Sequence, residues 1–117
     1  MTKVGIVILA DVETQGDKGR AFNALTSARE FKEAGDEVTL LFEGAGTKWV
    51  RELAADDGRF GEAFGRVKDV AAACSHCANV FGVADAVEAS GLQLLDEYRT
   101  HPSLKRLVDR GYQVITF

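Results

Sequence analysis

Residues 3–10 read KVGIVILA, and this stretch decides how the rest of the chain is read. It is short, rich in β-branched side chains and apolar at nearly every position. A strand with one wet face would alternate polar and apolar residues, so an unbroken run reads as a strand buried on both faces. Such strands belong to parallel sheets covered by helices. The neighbouring residues agree. Residues 11–19 form a polar loop, and from residue 20 to 34 the apolar positions are 21, 22, 24, 25, 28, 31 and 34. That spacing, close to 3.6, predicts an amphipathic helix, ended by Gly35 in the usual position after a helix. Residues 37–42 (EVTLLF) read as the second strand.

The alternation continues to the end. Residues 43–46 (EGAG) make a tight exit loop, with Gly44 and Gly46 as turn residues. Thr47 can cap a helix that carries Trp49, Val50 and Leu53 on one face. Asp57-Gly58 breaks that helix, and Phe60, Ala63 and Phe64 mark a further turn or two. Residues 67–73 (VKDVAAA) read as a third strand whose alanines suit close packing, and CSHC follows at 74–77. Val80, Phe81, Ala84 and Val87 mark the next helix, which ends near Gly91. A short strand is expected at 92–95. His101-Pro102 opens a helix containing Leu104, Leu107 and Val108, with Pro102 at its first position. Gly111 closes it, and YQVITF at 112–117 is the last strand.

This order predicts an α/β fold with a mainly parallel five-stranded sheet and helices on both faces. Its crossovers should be right-handed. Ligands bind such sheets at the carboxyl ends of the strands, where the loops 11–19, 43–47 and 74–77 would gather. A chain of 117 residues, 46% hydrophobic and 27% charged, with 12 Gly and one Pro, reads as one domain over 1–117. The net charge of −4 lacks the basic footprint of a nucleic-acid or membrane-surface binder. The apolar run at 4–10 is too short to span a bilayer and lacks the flanks of a signal peptide. A cytoplasmic location is expected.

The chemistry concentrates in Cys74 and Cys77, the only two cysteines. They lie between a predicted strand and a predicted helix. A helix N-terminus offers unpaired N–H donors and a positive dipole end, both of which favour thiolate. His76, if protonated, would add to that. The plain alternative is a pair of small buried hydrophobes. A C-x-x-C serves both redox sites and zinc half-sites. Zinc needs four ligands, whereas this chain offers Cys74, Cys77 and either His76 or the distant His101. His76 and Cys77 are adjacent and tend to point apart, so no metal is expected. A thioredoxin-like site would place the motif after the first strand and supply a cis-proline before a strand; neither is seen. There is no phosphate-loop lysine and no G-x-G-x-x-G, so no cofactor is expected. Asp11, Glu13 and Asp17 read as solvated charges, and His101 as a helix-start residue.

Five stretches together resemble the DsrE/DsrF-like family of small sulfur-relay proteins. They are KVGIVILA, AFNALTSAREFKEAG (21–35), EVTLLFEGAG (37–46), VAAACSHCANVFGV (70–83) and SLKRLVDRGYQVITF (103–117). The resemblance implies a three-layer α/β/α fold and a homo-oligomer, a trimer or hexamer. It implies a sulfurtransferase role in which the cysteine after the third strand carries sulfane sulfur as a persulfide. That position is Cys74. Cys77 matches a second cysteine found in some members and would serve as a resolving thiol. Sulfur donor and acceptor proteins would be the partners. Two other functions fit the same residues: thiol–disulfide exchange by Cys74 and Cys77, and a non-enzymatic oligomeric module that binds a small molecule. Three structural features are expected. Cys74 should open onto the crevice at the strand ends. The helix N-terminus should depress the pKa of the nearest sulfur. Trp49, Phe60 and Phe64 hold more apolar surface than one covering helix needs, so part of it should lie between subunits.

Overall fold

The computed structural model describes residues 1–117. Five strands, β1 (Lys3–Ile8), β2 (Glu37–Phe42), β3 (Ala71–Cys74), β4 (Gln93–Leu95) and β5 (Gln113–Thr116), form one sheet in the order β4-β3-β2-β1-β5. Every pairing is parallel. Six α-helices connect them: α1 (Gln15–Glu33), α2 (Lys48–Ala55), α3 (Arg59–Gly65), α4 (Ser75–Val80), α5 (Ala84–Ala89) and α6 (Leu104–Asp109). Single turns of 3₁₀ helix occupy Gly44–Thr47 and Lys68–Val70.

The sheet order fixes the layers. From β1 to β4 each strand lies beside its predecessor, always stepping the same way, so right-handed crossovers place α1 to α5 on one face. The connection from β4 returns across the sheet to β5, which puts α6 on the other face. The result is the expected α/β/α sandwich with unequal outer layers. The main core lies under α1 to α5, where Val4, Ile6, Ile8, Leu40 and Phe42 of the sheet meet Ala21, Ala24, Leu25 and Ala28 of α1. Phe42 is fully buried, a burial worth about 2–3 kcal/mol. On the other face α6 packs close to β1: a Cβ built on Gly5 would lie 3.1 Å from the Leu107 side chain. Gly5 is the strand residue that admits this approach.

Helix boundaries shift where capping overrides hydrophobic period. α1 starts at Gln15 inside the stretch read as loop, because Thr14 caps it. The Thr14 hydroxyl accepts from the Asp17 N–H at 3.0 Å, and the Asp17 carboxylate accepts from the Thr14 N–H at 3.1 Å. The helix ends before Gly35, which takes φ +83°.

Most of the aromatic surface expected at an interface packs within the chain. Trp49 and Phe64 are buried. Phe60 stacks on Trp49 and meets Phe22 edge-on, and Phe64 meets Phe42 edge-on. The Trp49 indole N–H donates to the carbonyls of Ala10 and Asp11, both at 3.0 Å. Trp49 and Phe64 thus close the core over the sheet, while Phe60 and Phe22 stay half-buried at the surface. The large apolar side chains that do remain exposed include Leu9, Val80, Tyr98, Leu104, Val108 and Ile115. No helix is long and apolar enough to cross a membrane.

Candidate functional site

Side chains alternate across a strand. Ala73 belongs to the main core, so Cys74 points to the opposite face, the one that carries α6. Cys74 ends β3 and is also the N-cap of α4, with φ −67° and ψ 121°. Its Sγ accepts from the Cys77 N–H at 3.4 Å, a role usually taken by the oxygen of Ser, Thr, Asp or Asn.

The segment after β4 covers this sulfur. Tyr98 and His101 face each other across a two-residue turn: the Tyr98 N–H donates to the His101 carbonyl at 2.8 Å, and the His101 N–H returns to the Tyr98 carbonyl at 2.7 Å. The central residues Arg99 and Thr100 have φ +45° and +66°. A turn with two left-handed residues favours Asn and Gly; Arg and Thr there cost about 1–2 kcal/mol each. Docking onto α4 compensates. The Thr100 carbonyl accepts from the His76 N–H at 2.8 Å, and its hydroxyl lies 3.3 Å from His76 Nδ1. The same turn brings His101 Nδ1 to 3.2 Å from Cys74 Sγ. The Cys74 and Cys77 sulfurs and one ring nitrogen of His101 all lie within 4.8 Å of one another.

Two expectations about Cys74 are therefore corrected. It does not open onto the crevice: it is completely buried, while Cys77 is half-buried. Its thiol is not made acidic by the helix N-terminus. Burial pushes the Cys74 pKa up to about 12, the Cys77 N–H pulls the other way, and the Cys77 thiol and Glu43 carboxylate push it further up. α4 has only six residues, so its dipole is small beside the cost of burying a charge. Glu43, just after β2, is itself held above the usual carboxylate range by burial, with the charge of His101 opposing that shift.

The three loops meet around Lys48, which directly follows the second loop, pairs with Asp11 of the first and lies over the Phe81 ring at the end of α4. The Gly44–Thr47 turn packs against α4, as expected of the second and third loops. The acids of the first loop are engaged away from the thiols. Asp11 pairs with Lys48 at 2.7 Å, and Asp17 caps α1. Two residues join the site that hydrophobic period and spacing do not reveal. Pattern alone puts His101 at a helix start, yet α6 begins only at Leu104 because the Ser103 hydroxyl accepts from the Arg106 N–H at 3.1 Å. Ser103 is a better N-cap than His101, and that preference is the available signal. Glu43 carries one too: it is an acid at a strand's carboxyl end, beside β3.

The fold and site define a parallel α/β protein with two thiols and an imidazole at the end of its third strand. Its kinship can be placed through relatives. The chain is 34% identical over 93 residues to the uncharacterized protein MJ0733 of Methanocaldococcus jannaschii, covering 80% of this chain and 76% of that one. It belongs to the same family as that protein. The solved structure of BT1422, a conserved protein of unknown function from Bacteroides thetaiotaomicron, matches with a TM-score of 0.69. That match covers 97% of this chain and 94% of that one at 19% identity, a likeness of fold. No family model matches the chain.

Proposed function

We propose that this protein is a cytoplasmic sulfur-relay protein that carries sulfane sulfur as a persulfide on Cys74, with Cys77 as the receiving thiol. The observation that carries the reading is the pairing of a buried sulfur with a base and a more accessible sulfur. Cys74 Sγ lies 3.2 Å from His101 Nδ1, and the half-buried Cys77 sulfur is within 4.8 Å. A donor cannot reach Cys74 directly, but it can reach Cys77. The Cys77 thiolate attacks the outer sulfur of a donor persulfide; the donor S–S bond breaks and the donor leaves as a thiolate. Cys74 then gives its proton to His101 Nδ1 and attacks the outer sulfur on Cys77. The S–S bond to Cys77 breaks, Cys77 leaves as thiolate, and the sulfur rests on Cys74 with no net oxidation. Burial then shields the persulfide from water and stray thiols until an acceptor protein removes it through Cys77. The resemblance to DsrE/DsrF-like proteins supports the same chemistry and a homo-oligomeric assembly.

Incubation of the reduced protein with inorganic polysulfide, followed by intact mass and peptide mapping, tests this. One added sulfur on Cys74 is expected. Cys77→Ser should load about tenfold or more slowly, and Cys74→Ser should load only on Cys77, with a persulfide quickly consumed by an alkylating agent. If neither cysteine gains sulfur, the reading fails. The closeness of the two sulfurs favours one other reading, thiol–disulfide exchange; loss of two hydrogens with no gain of sulfur would assign that instead. Light scattering at tens of micromolar checks the assembly.

A further inference from the structure

We infer that Cys74 Sγ, Cys77 Sγ and His101 Nδ1 form a three-donor site for a thiophilic divalent cation, zinc above all, with the fourth position open. The inference does not depend on sulfur transfer. The donor set is of the right kind, since zinc takes thiolate and imidazole and leaves one position free where it binds a further ligand. The spacing is right as well. Tetrahedral zinc with Zn–S near 2.3 Å and Zn–N near 2.0 Å holds sulfur and nitrogen about 3.5 Å apart and the two sulfurs about 3.8 Å apart. His101 Nδ1 already lies 3.2 Å from Cys74 Sγ, and the remaining donor separations are at most 4.8 Å. Rotation of the half-buried Cys77 side chain can close the difference. Sequence separation alone argues against a metal, because it sets His101 far from the cysteines; the Tyr98–His101 turn removes that objection.

Charge and strain point the same way. Two thiolates and a neutral imidazole balance a doubly charged cation, so the filled site is neutral, as a buried site should be. Binding replaces two thiol protons, which leave as the two Zn–S bonds form. The Cys77 N–H that donates to Cys74 Sγ then serves the thiolate as an outer partner. Arg99 and Thr100 hold left-handed backbone that neither residue favours, in the one turn that delivers His101. Strain of this kind persists where the surrounding structure needs the geometry. Zinc and sulfane sulfur would compete for the same two sulfurs, so the filled site would be closed to sulfur loading.

The test is an anaerobic titration of the reduced, chelator-treated full chain with cobalt(II), followed by displacement with zinc. Thiolate-to-cobalt charge-transfer absorption and intense tetrahedral d–d bands are expected, saturating at one metal per chain. Cys77→Ser and His101→Ala should each weaken binding by about 100-fold or more, beyond what loss of an outer partner costs. His76→Gln, which removes a ring packed on His101 but no donor, should keep the thiolate-to-cobalt band and lose less affinity than His101→Ala, with circular dichroism confirming the fold of each variant. Absence of the charge-transfer band overturns the inference. So does a His101→Ala chain that binds as tightly as the parent, or a His76→Gln chain that loses binding as completely as His101→Ala. No sulfur donor is present, so this result stands apart from the polysulfide experiment, which is run with chelator.

Discussion

Gly46 should tolerate no side chain at all. A Cβ built there would fall 2.0 Å from the Ile8 carbonyl oxygen and 2.7 Å from its carbon. Both are backbone atoms of β1, which cannot swing aside as a flexible side-chain end would. Normal contact needs more than about 3 Å, so the Gly44–Thr47 turn must back away from β1 by roughly 1 Å. Two hydrogen bonds stand in the way. The Glu43 N–H donates to that same Ile8 carbonyl at 3.0 Å, and the Gly46 N–H donates to the Glu43 carbonyl at 2.9 Å. Losing them costs about 1 kcal/mol each, and overpacking adds about 1–3 kcal/mol. Gly46→Ala should therefore lose about 3–5 kcal/mol. At about 4 °C per kcal/mol for a domain of this size, its melting temperature should fall by about 12–20 °C. Gly44 makes the control. Its φ of +58° is left-handed, but an added Cβ would meet only the Leu9 side chain at 3.7 Å. Gly44→Ala should cost about 1 kcal/mol, a shift of about 4 °C. Thermal unfolding by circular dichroism reads both. A Gly46→Ala protein melting within a few degrees of the parent, or Gly44→Ala proving the worse of the two, would refute the argument.

Three further outcomes are expected. In the folded protein at neutral pH, iodoacetamide should label Cys77 well before Cys74. The rise of Cys74 from 9.0 to about 12 alone reduces its thiolate about a thousandfold, and burial blocks the reagent; equal labelling rates by mass spectrometry would contradict this. Stability should decline as pH rises from about 9 towards about 12, because the unfolded chain releases the Cys74 proton while the folded chain keeps it. Cys74→Ala should flatten that decline in urea unfolding, and an unchanged slope would remove Cys74 as its cause. Thr14→Ala should cost about 1 kcal/mol through loss of the α1 cap, with a urea midpoint equal to the parent's counting against the capping account.

The strand pattern is legible because burial on both faces writes itself as unbroken apolar runs. KVGIVILA and EVTLLF need no partner to be read, and β1 and β2 fall within them. β3 is harder. Residues 67–73 contain a 3₁₀ turn at Lys68–Val70, and only the alanines and Cys74 extend. Local patterning does not distinguish the two. At the site, the cysteines and their junction can be read from spacing alone. Depth cannot. Whether Cys74 faces solvent depends on where Tyr98 to His101 fold back, a contact across 27 residues that no periodicity encodes. The turn itself is hidden, since Arg99-Thr100 carries none of the Asn or Gly that usually announces left-handed backbone.

The position of β5 bears on how the molecule is made. β1 is the first of the five strands to leave the ribosome, and its neighbours are β2 and β5. β2 arrives within a few dozen residues, but β5 is translated after every other strand. Until it emerges, one side of β1 presents unpaired N–H and C=O groups beside side chains that end up buried. Such an open, apolar edge invites pairing with a neighbouring nascent chain. The thiol cluster waits almost as long, because His101 lies only about a dozen residues before β5. Sheet edge and thiol site are thus completed nearly together, and slow synthesis leaves both open until the same stretch of chain arrives.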